Sequence, residues 1–465
     1  MVSVTINSDP PGAIVDVVST PIESYSYLIY TDGSTVFAKN GSTGNIDYSG
    51  EVALTVIQNA LDNLTAARTW KEKVIVKGNY TLINSSTLDI PDYTIFELDG
   101  RFIASDKTKT LVTVGNNVEM INGIYDGNRD GTNGGDIAVR VIHINGKDNV
   151  LIHNLAVEKG YSRGIEVDYS TNVIIENVQV NNCWRNLMQW VEPADLSASA
   201  NDCFLSNIHS TNALENGFDG TCSNLTINDF YDTDAGSASI SIDGFKNITI
   251  NNVTAGSQIN ILAGDYVGVM GSKANLSNIT GTYLFFDVLY PIIENVKINN
   301  VYLDGDVRFI ISGTKDVKNI EINNLESKSS DWAGILFDRG TGSSGRYKNV
   351  LINNAICRDG AQHGFYFRYV DHLKITNSIA IGNDDTGFVI ADSTYTKMIS
   401  CDSVATGAYN QECPLELNTV NNFDAIDCFF ENGGIPTTLT NVTNYVFSNC
   451  KGDIPDPPSD APISI

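Results

Sequence analysis

Ile320-Glu321-Ile322-Asn323-Asn324-Leu325 decides the fold. The same form, apolar-x-apolar-x-Asn-apolar, stands at residues 150–155, 173–178 and 248–253. Its core, apolar-x-Asn-apolar, returns every 21 to 32 residues through most of the chain. The asparagines are Asn122, Asn154, Asn177, Asn207, Asn252, Asn278, Asn300, Asn324, Asn354, Asn377 and Asn449, and Asp229, Cys401 and Cys428 fill the remaining rungs. Stacked coils produce such a period, because each coil must offer the same inward residues to its neighbours.

The repeated segments are rich in Val, Ile and Thr and alternate with period two, and no helical spacing recurs within the period. Each turn is therefore expected to consist of short strands, which makes the chain an all-β parallel β-helix. An asparagine at one fixed place per turn can bond its amide to the next turn, so the asparagines are expected to form one inward-facing structural column. A second repeat, Gly-apolar-x-apolar, occurs at Gly164-Ile165-Glu166-Val167, Gly334-Ile335-Leu336-Phe337, Gly364-Phe365-Tyr366-Phe367 and Gly387-Phe388-Val389-Ile390, and begins again at Gly217-Phe218. With these two repeats, roughly residues 75–452 resemble the pectin-lyase-like superfamily. The resemblance implies a right-handed, single-stranded parallel β-helix. It does not select a reaction, since that fold carries polysaccharide lyases, glycoside hydrolases, epimerases, phage tailspikes and non-catalytic adhesins.

A solenoid grows by adding turns, so 465 residues need not be divided into several globular domains. Residues 1–50 read as a small β region, with turn signals at Asp32-Gly33, Asn40-Gly41 and Ser49-Gly50. Within residues 51–74, Val56, Ile57, Ala60, Leu61 and Leu64 have the spacing of an amphipathic helix, expected to cap the open N-terminal end of the β-helix. Residues 453–465 form a proline-rich tail.

Charge narrows the partners. With 55 acidic and 29 basic residues the formal charge is −26, which repels nucleic acid and disfavours polyanionic glycans unless Ca²⁺ bridges the two. A neutral or weakly charged polysaccharide is the expected partner. No run of 18 apolar residues offers a membrane span. Met1–Ile6 shows no signal peptide, so an extracellular or virion-surface location is expected through a removed signal or another exit. The tailspike resemblance leaves room for a homotrimer.

Long turns are where a repeat acquires function. The intervals Asn177 to Asn207 and Asn324 to Asn354 each span 30 residues and carry their extra length at one corner, residues 191–201 and 339–348. About six turns apart, these insertions are expected to wall a trough roughly 29 Å long. One wall offers Trp184, Trp190 and Glu192, the other Trp332, Asp338, Arg339 and Arg346, with Arg308 between them. Indole faces stack on pyranose rings while carboxylates and guanidinium groups bond hydroxyls. On the floor, Asp219 is expected to point outward with Ser241 one turn on and Asp243 two residues beyond, leaving their carboxylates about 5 to 9.5 Å apart, the span of glycosidase pairs. Glu166, Asp168 and Asp287 lie along the same face. The expectation is paired-carboxylate hydrolysis without a required cofactor.

Two other readings stay open, a non-catalytic glycan-binding adhesin or viral receptor-binding protein, and a Ca²⁺-assisted lyase. Asp126-Gly127-Asn128-Arg129-Asp130-Gly131 matches the start of a calcium loop through Asp126, Asn128 and Asp130, but Ile137 stands where a bidentate Glu belongs. Lyase chemistry needs basic groups, and this reading finds few in the trough. The adjacent Asp384-Asp385 pair lacks the Gly-His-Gly and Arg-Ile-Lys motifs of polygalacturonases, and no histidine has a neighbour at ligand spacing. The eight cysteines lack metal-type spacing, and Cys401 and Cys428 read as small buried hydrophobes.

Overall fold

The structure is a computed structural model that describes residues 24–83, 87–107, 109–130, 139–190, 202–263, 273–288, 293–328, 330–404, 413–431, 437–452 and 454. Over these residues the chain winds through about 14 turns of an all-β solenoid. From Glu72 onward the strands pair in parallel with their counterparts one turn later: Val307–Ile311 with Ala333–Arg339, and that strand with His363–Arg368. One turn shows the plan. Ala333–Arg339 lies on a first sheet; Tyr347–Arg358 then supplies a second sheet and, past a bend at Asn354, a third.

The bend explains the repeat and corrects its expected facing. Asn154, Asn177, Asn207, Asn252, Asn278, Asn300, Asn324, Asn354 and Asn377 have φ between +50° and +56°, and all of them are exposed. Side chains with a Cβ are strained in this left-handed region, and asparagine tolerates it best after glycine. The column is real, but it lies on an outer corner. Its carboxamides bond rung to rung: Asn278 Nδ2 donates to Asn252 Oδ1 at 3.0 Å, Asn300 to Asn278 at 3.1 Å and Asn324 to Asn300 at 3.0 Å. The left-handed residue breaks the period-two alternation, so Asn323 and Asn324 both face out before Leu325 turns in. Cys401 and Cys428 are also displaced by one place. Ser400 and Asp427 hold the positive φ there, and the cysteines that follow point into the core. Asn300→Ala is expected to cost about 1–2 kcal/mol through left-handed strain, and Asn300→Gly less, as read from urea midpoints.

Inside, like residues stack. Phe286, Phe309 and Phe337 occupy one column in successive turns, with ring centroids 4.5 and 4.6 Å apart. Phe365 and Phe388 stack likewise at 4.6 Å. At the start, Tyr27–Thr31, Val36–Asn40 and Ile46–Gly50 form an antiparallel meander whose first strand pairs in parallel with Glu72–Leu82. The helix Ala53–Asp62 buries Leu54, Val56, Ile57, Ala60 and Leu61 in the same continuous core. Gln58 anchors it further, accepting from Asp89 N at 2.9 Å and donating to Asp89 O at 3.0 Å. Residues 1–23 and 455–465 lie outside the described residues. No helix among the described residues is long and apolar enough to cross a membrane.

Candidate functional site

Register fixes which residues of the first sheet stand opposite one another. Starting at His143, one column runs through Glu166, Met188, Asp219, Ser241, Asn260, Phe285, Arg308, Leu336 and Tyr366, each opposite the next. Alternate residues such as Ile165 and Phe218 fill the core, which leaves Glu166 and Asp219 on the outer face. Two positions along each strand, a second column contains Asp168 opposite Trp190, and farther on Asp287, Ile310 and Asp338. Trp190 and Asp338 are thus six rungs apart in one column, roughly 29 Å at the spacing of paired strands. The segment after Asp338 begins with Arg339. Residues 191–201, with Glu192, lie outside the described residues, as does the side chain of Trp190.

Asp219 is 7% exposed. Arg185 Nε sits 2.9 Å from its carboxylate and 2.7 Å from that of Glu215, which also accepts from Trp184 Nε1 at 2.7 Å. Burial pushes the Asp219 pKa up to about 6; Arg185 opposes the rise, while the charges of Asp243 and Glu215 add to it. Asp243 is half-buried and lies where the register slips, between Ile242 opposite Gly220 and Gly244 opposite Thr221. Ser241 Oγ is 3.4 Å from its Oδ1. Two rungs before Asp219, Glu166 is 2% exposed and is held by Arg140 and, at 3.2 Å, by Arg163 Nε. His143 Nε2 lies 2.9 Å from Asp168 Oδ2, and Arg140 approaches the same oxygen at 3.5 Å.

Arg140, Arg163 and Arg185 stand opposite one another on consecutive rungs, three residues before His143, Glu166 and Met188. Guanidinium groups stacked at strand spacing repel, and the carboxylates between them relieve that repulsion. The proton affinity of Arg140 is lowered by burial, with Asp168 opposing and Arg163 adding to the effect. These three arginines are basic groups on the first sheet that the sequence reading did not single out. Their spacings of 23 and 22 residues match the repeat, and that period was the available signal. His143 is a second correction: with Glu166 and Asp168 it brings three ligand-type atoms within 4.8 Å of one another. Arg140 and Arg163 already supply the cations in that cluster.

Other expected residues take varied places. Asp287 accepts from Ser312 Oγ at 2.7 Å. Arg308 Nε donates to Asp306 at 2.6 Å, and the guanidinium carbon lies 5.9 Å from the Tyr283 ring centre. Trp332 packs on Tyr366 at 4.7 Å and edge-on to His363 at 5.8 Å. Arg339 lies 3.5 Å over the Tyr369 ring, and the Asp338 carboxyl beside it is shifted upward by burial. Arg346 faces Asp371, with two 2.8 Å hydrogen bonds. In the calcium-like turn, Asp126 pairs with Arg101 and, at 3.3 Å, with Lys159, while Asp130 pairs with Lys107 at 3.0 Å. Asn128 Nδ2 donates to Ala104 O at 2.9 Å.

No family model matches this chain, and no curated relative matches it. Solved structures to which it is similar include the catalytic domain of a GH87 α-1,3-glucanase in complex with tetrasaccharides, at 13% identity over 85% of this chain and 67% of that one, with a TM-score of 0.41. A family 28 exopolygalacturonase of Yersinia enterocolitica matches at 10% identity over 90% and 82% of the two chains, with a TM-score of 0.35. The tailspike protein of E. coli bacteriophage HK620 matches at 9% identity over 75% and 74%, with a TM-score of 0.41. The strand register by itself carries the parallel β-solenoid fold.

Proposed function

We propose that this chain is a glycoside hydrolase acting on a neutral or weakly charged polysaccharide laid along the first sheet. Asp219 is the general acid and Asp243 the carboxylate that activates water or attacks the anomeric carbon. The observation that carries this reading is the unequal pair on neighbouring rungs: Asp219 is buried with its pKa raised to about 6, and Asp243 lies close enough to add to that rise. Raising one carboxyl of a close pair in this way suits it to serve as the acid. Such a pair needs no metal. Glu166 and Asp168 then shape the neighbouring charge with Arg140, Arg163 and His143, and the Trp332–Tyr366 cluster supports sugar rings at the far end of the trough.

Because Asp219 must be protonated to donate, kcat should fall as pH rises through about 6. Stability moves the same way. A carboxyl whose folded pKa lies above its unfolded value favours the folded state below that unfolded value, and its contribution is lost as pH rises from about 4 to about 6. A pH series of initial rates and melting midpoints reads both effects. Trp332→Ala should weaken glycan binding about ten-fold, or ~1.4 kcal/mol, with turnover at saturation little changed.

A non-catalytic glycan-binding role, at a virion surface or elsewhere outside the cell, is the second reading. It is favoured by the Arg185–Asp219 ion pair, which ties up the acid. Digestion of a polysaccharide panel, read by mass spectrometry, separates the readings. Products heavier by one water support hydrolysis, unsaturated products indicate lyase action, and binding without product indicates the adhesin role.

A further inference from the structure

The last described turns contain a feature that glycan chemistry does not use. Cys401, Cys428 and Cys450 each follow a left-handed corner residue, Ser400, Asp427 and Asn449, and each turns inward. Register stacks them. Asp402 lies opposite Phe429 and Phe429 opposite Lys451, which sets Cys401 beside Cys428 and Cys428 beside Cys450. Backbone bonds close the same rungs, Phe429 N to Cys401 O at 3.0 Å and Lys451 N to Cys428 O at 2.9 Å. Paired strands lie about 4.8 Å apart, inside the ~4.4–6.8 Å Cα window of a disulfide. The thiols also share one environment, each donating to the carbonyl two residues before it, Ile399, Ile426 and Ser448, at 3.3 to 3.4 Å. A neighbouring sulfur is the largest influence on the acidity of all three, lowering Cys401 and raising Cys428 and Cys450.

We propose that Cys428 and Cys450 form an oxidation site that cross-links two neighbouring rungs, the last among the described residues, as a disulfide. Access sets the pairing. Cys401 is 0% and Cys428 2% exposed, whereas Cys450 is half-buried, so an external oxidant meets Cys450 first. With a low-molecular-weight disulfide as oxidant, the Cys450 thiolate attacks one of its sulfurs and releases one thiol. The Cys428 thiolate then attacks Cys450 Sγ and releases the second. Two protein thiols are oxidised by two electrons, the reagent disulfide is reduced to two thiols, and the two protons lost by the cysteines end on those released thiols. The bond closes a 22-residue loop (450 − 428) between the last two rungs among the described residues. Raised thiol pKa values make the reaction faster toward alkaline pH.

The test uses the folded, full-length chain incubated with oxidised glutathione at pH 8.5, then alkylated and digested at glutamate. Cleavage at Glu412, Glu416 and Glu431 places Cys401, Cys428 and Cys450 on separate peptides. The expected result is a Cys428–Cys450 cross-linked peptide in the wild type and in Cys401→Ser, with initial formation at least several-fold faster at pH 8.5 than at pH 7, and its loss in Cys428→Ser. A reaction that stops at a glutathione adduct on Cys450, thiols that stay fully alkylatable, or a dominant Cys401–Cys428 link would each overturn the proposal.

Discussion

Asp219→Asn is expected to lower turnover by at least ~10²-fold and to leave glycan affinity nearly unchanged. The amide keeps the size of the side chain and removes the transferable proton. Arg185 retains Glu215 as a partner at 2.7 Å, so the variant should fold with the wall of the site intact. Asp243→Asn is expected to match the loss, because base and acid act in the same step. Single-turnover rates and equilibrium binding, measured together, separate chemistry from affinity. Equal activity in both amide variants would move the chemistry to another pair of acids.

Phe309→Ala should cost about 3–5 kcal/mol, the largest stability effect expected here. Its ring is 1% exposed and stacks on Phe286 below and Phe337 above, so truncation opens a cavity across three turns. Each turn of a solenoid is stabilised mainly by its neighbours, and the loss is felt at two interfaces. Phe429→Ala serves as the comparison: at 36% exposure its cost should be well under half as large. Guanidinium unfolding midpoints of the two variants against wild type read the difference.

The fold was legible in the sequence because a solenoid writes its period into every turn. Residues 248–253 and 320–325 are each local statements of the same coil. The face of the asparagine column was not legible from alternation, since a left-handed residue such as Asn324 places two consecutive side chains outside. The opposition of Asp219 and Ser241 followed from turn counting and is present in the strand register. The burial of Asp219 is different in kind. It depends on Arg185, Glu215 and Trp184 converging from the preceding rung and the intervening turn, and no short motif encodes that convergence. The calcium-like turn carries the same lesson: residues 126–131 read alone resemble a cation loop, while Arg101 and Lys159 reach Asp126 from the turns on either side.

The central claim is that this chain adds water across a glycosidic bond through Asp219. Digestion of neutral and weakly charged polysaccharides in ¹⁸O-labelled water, with wild type and Asp219→Asn in parallel, tests it most directly. The account predicts oligosaccharides carrying one ¹⁸O at the new reducing end with the wild type, and at least ~10²-fold less product with the variant. Unlabelled unsaturated products, no cleavage of a polysaccharide that the wild type demonstrably binds, or equal labelling by both proteins would contradict it.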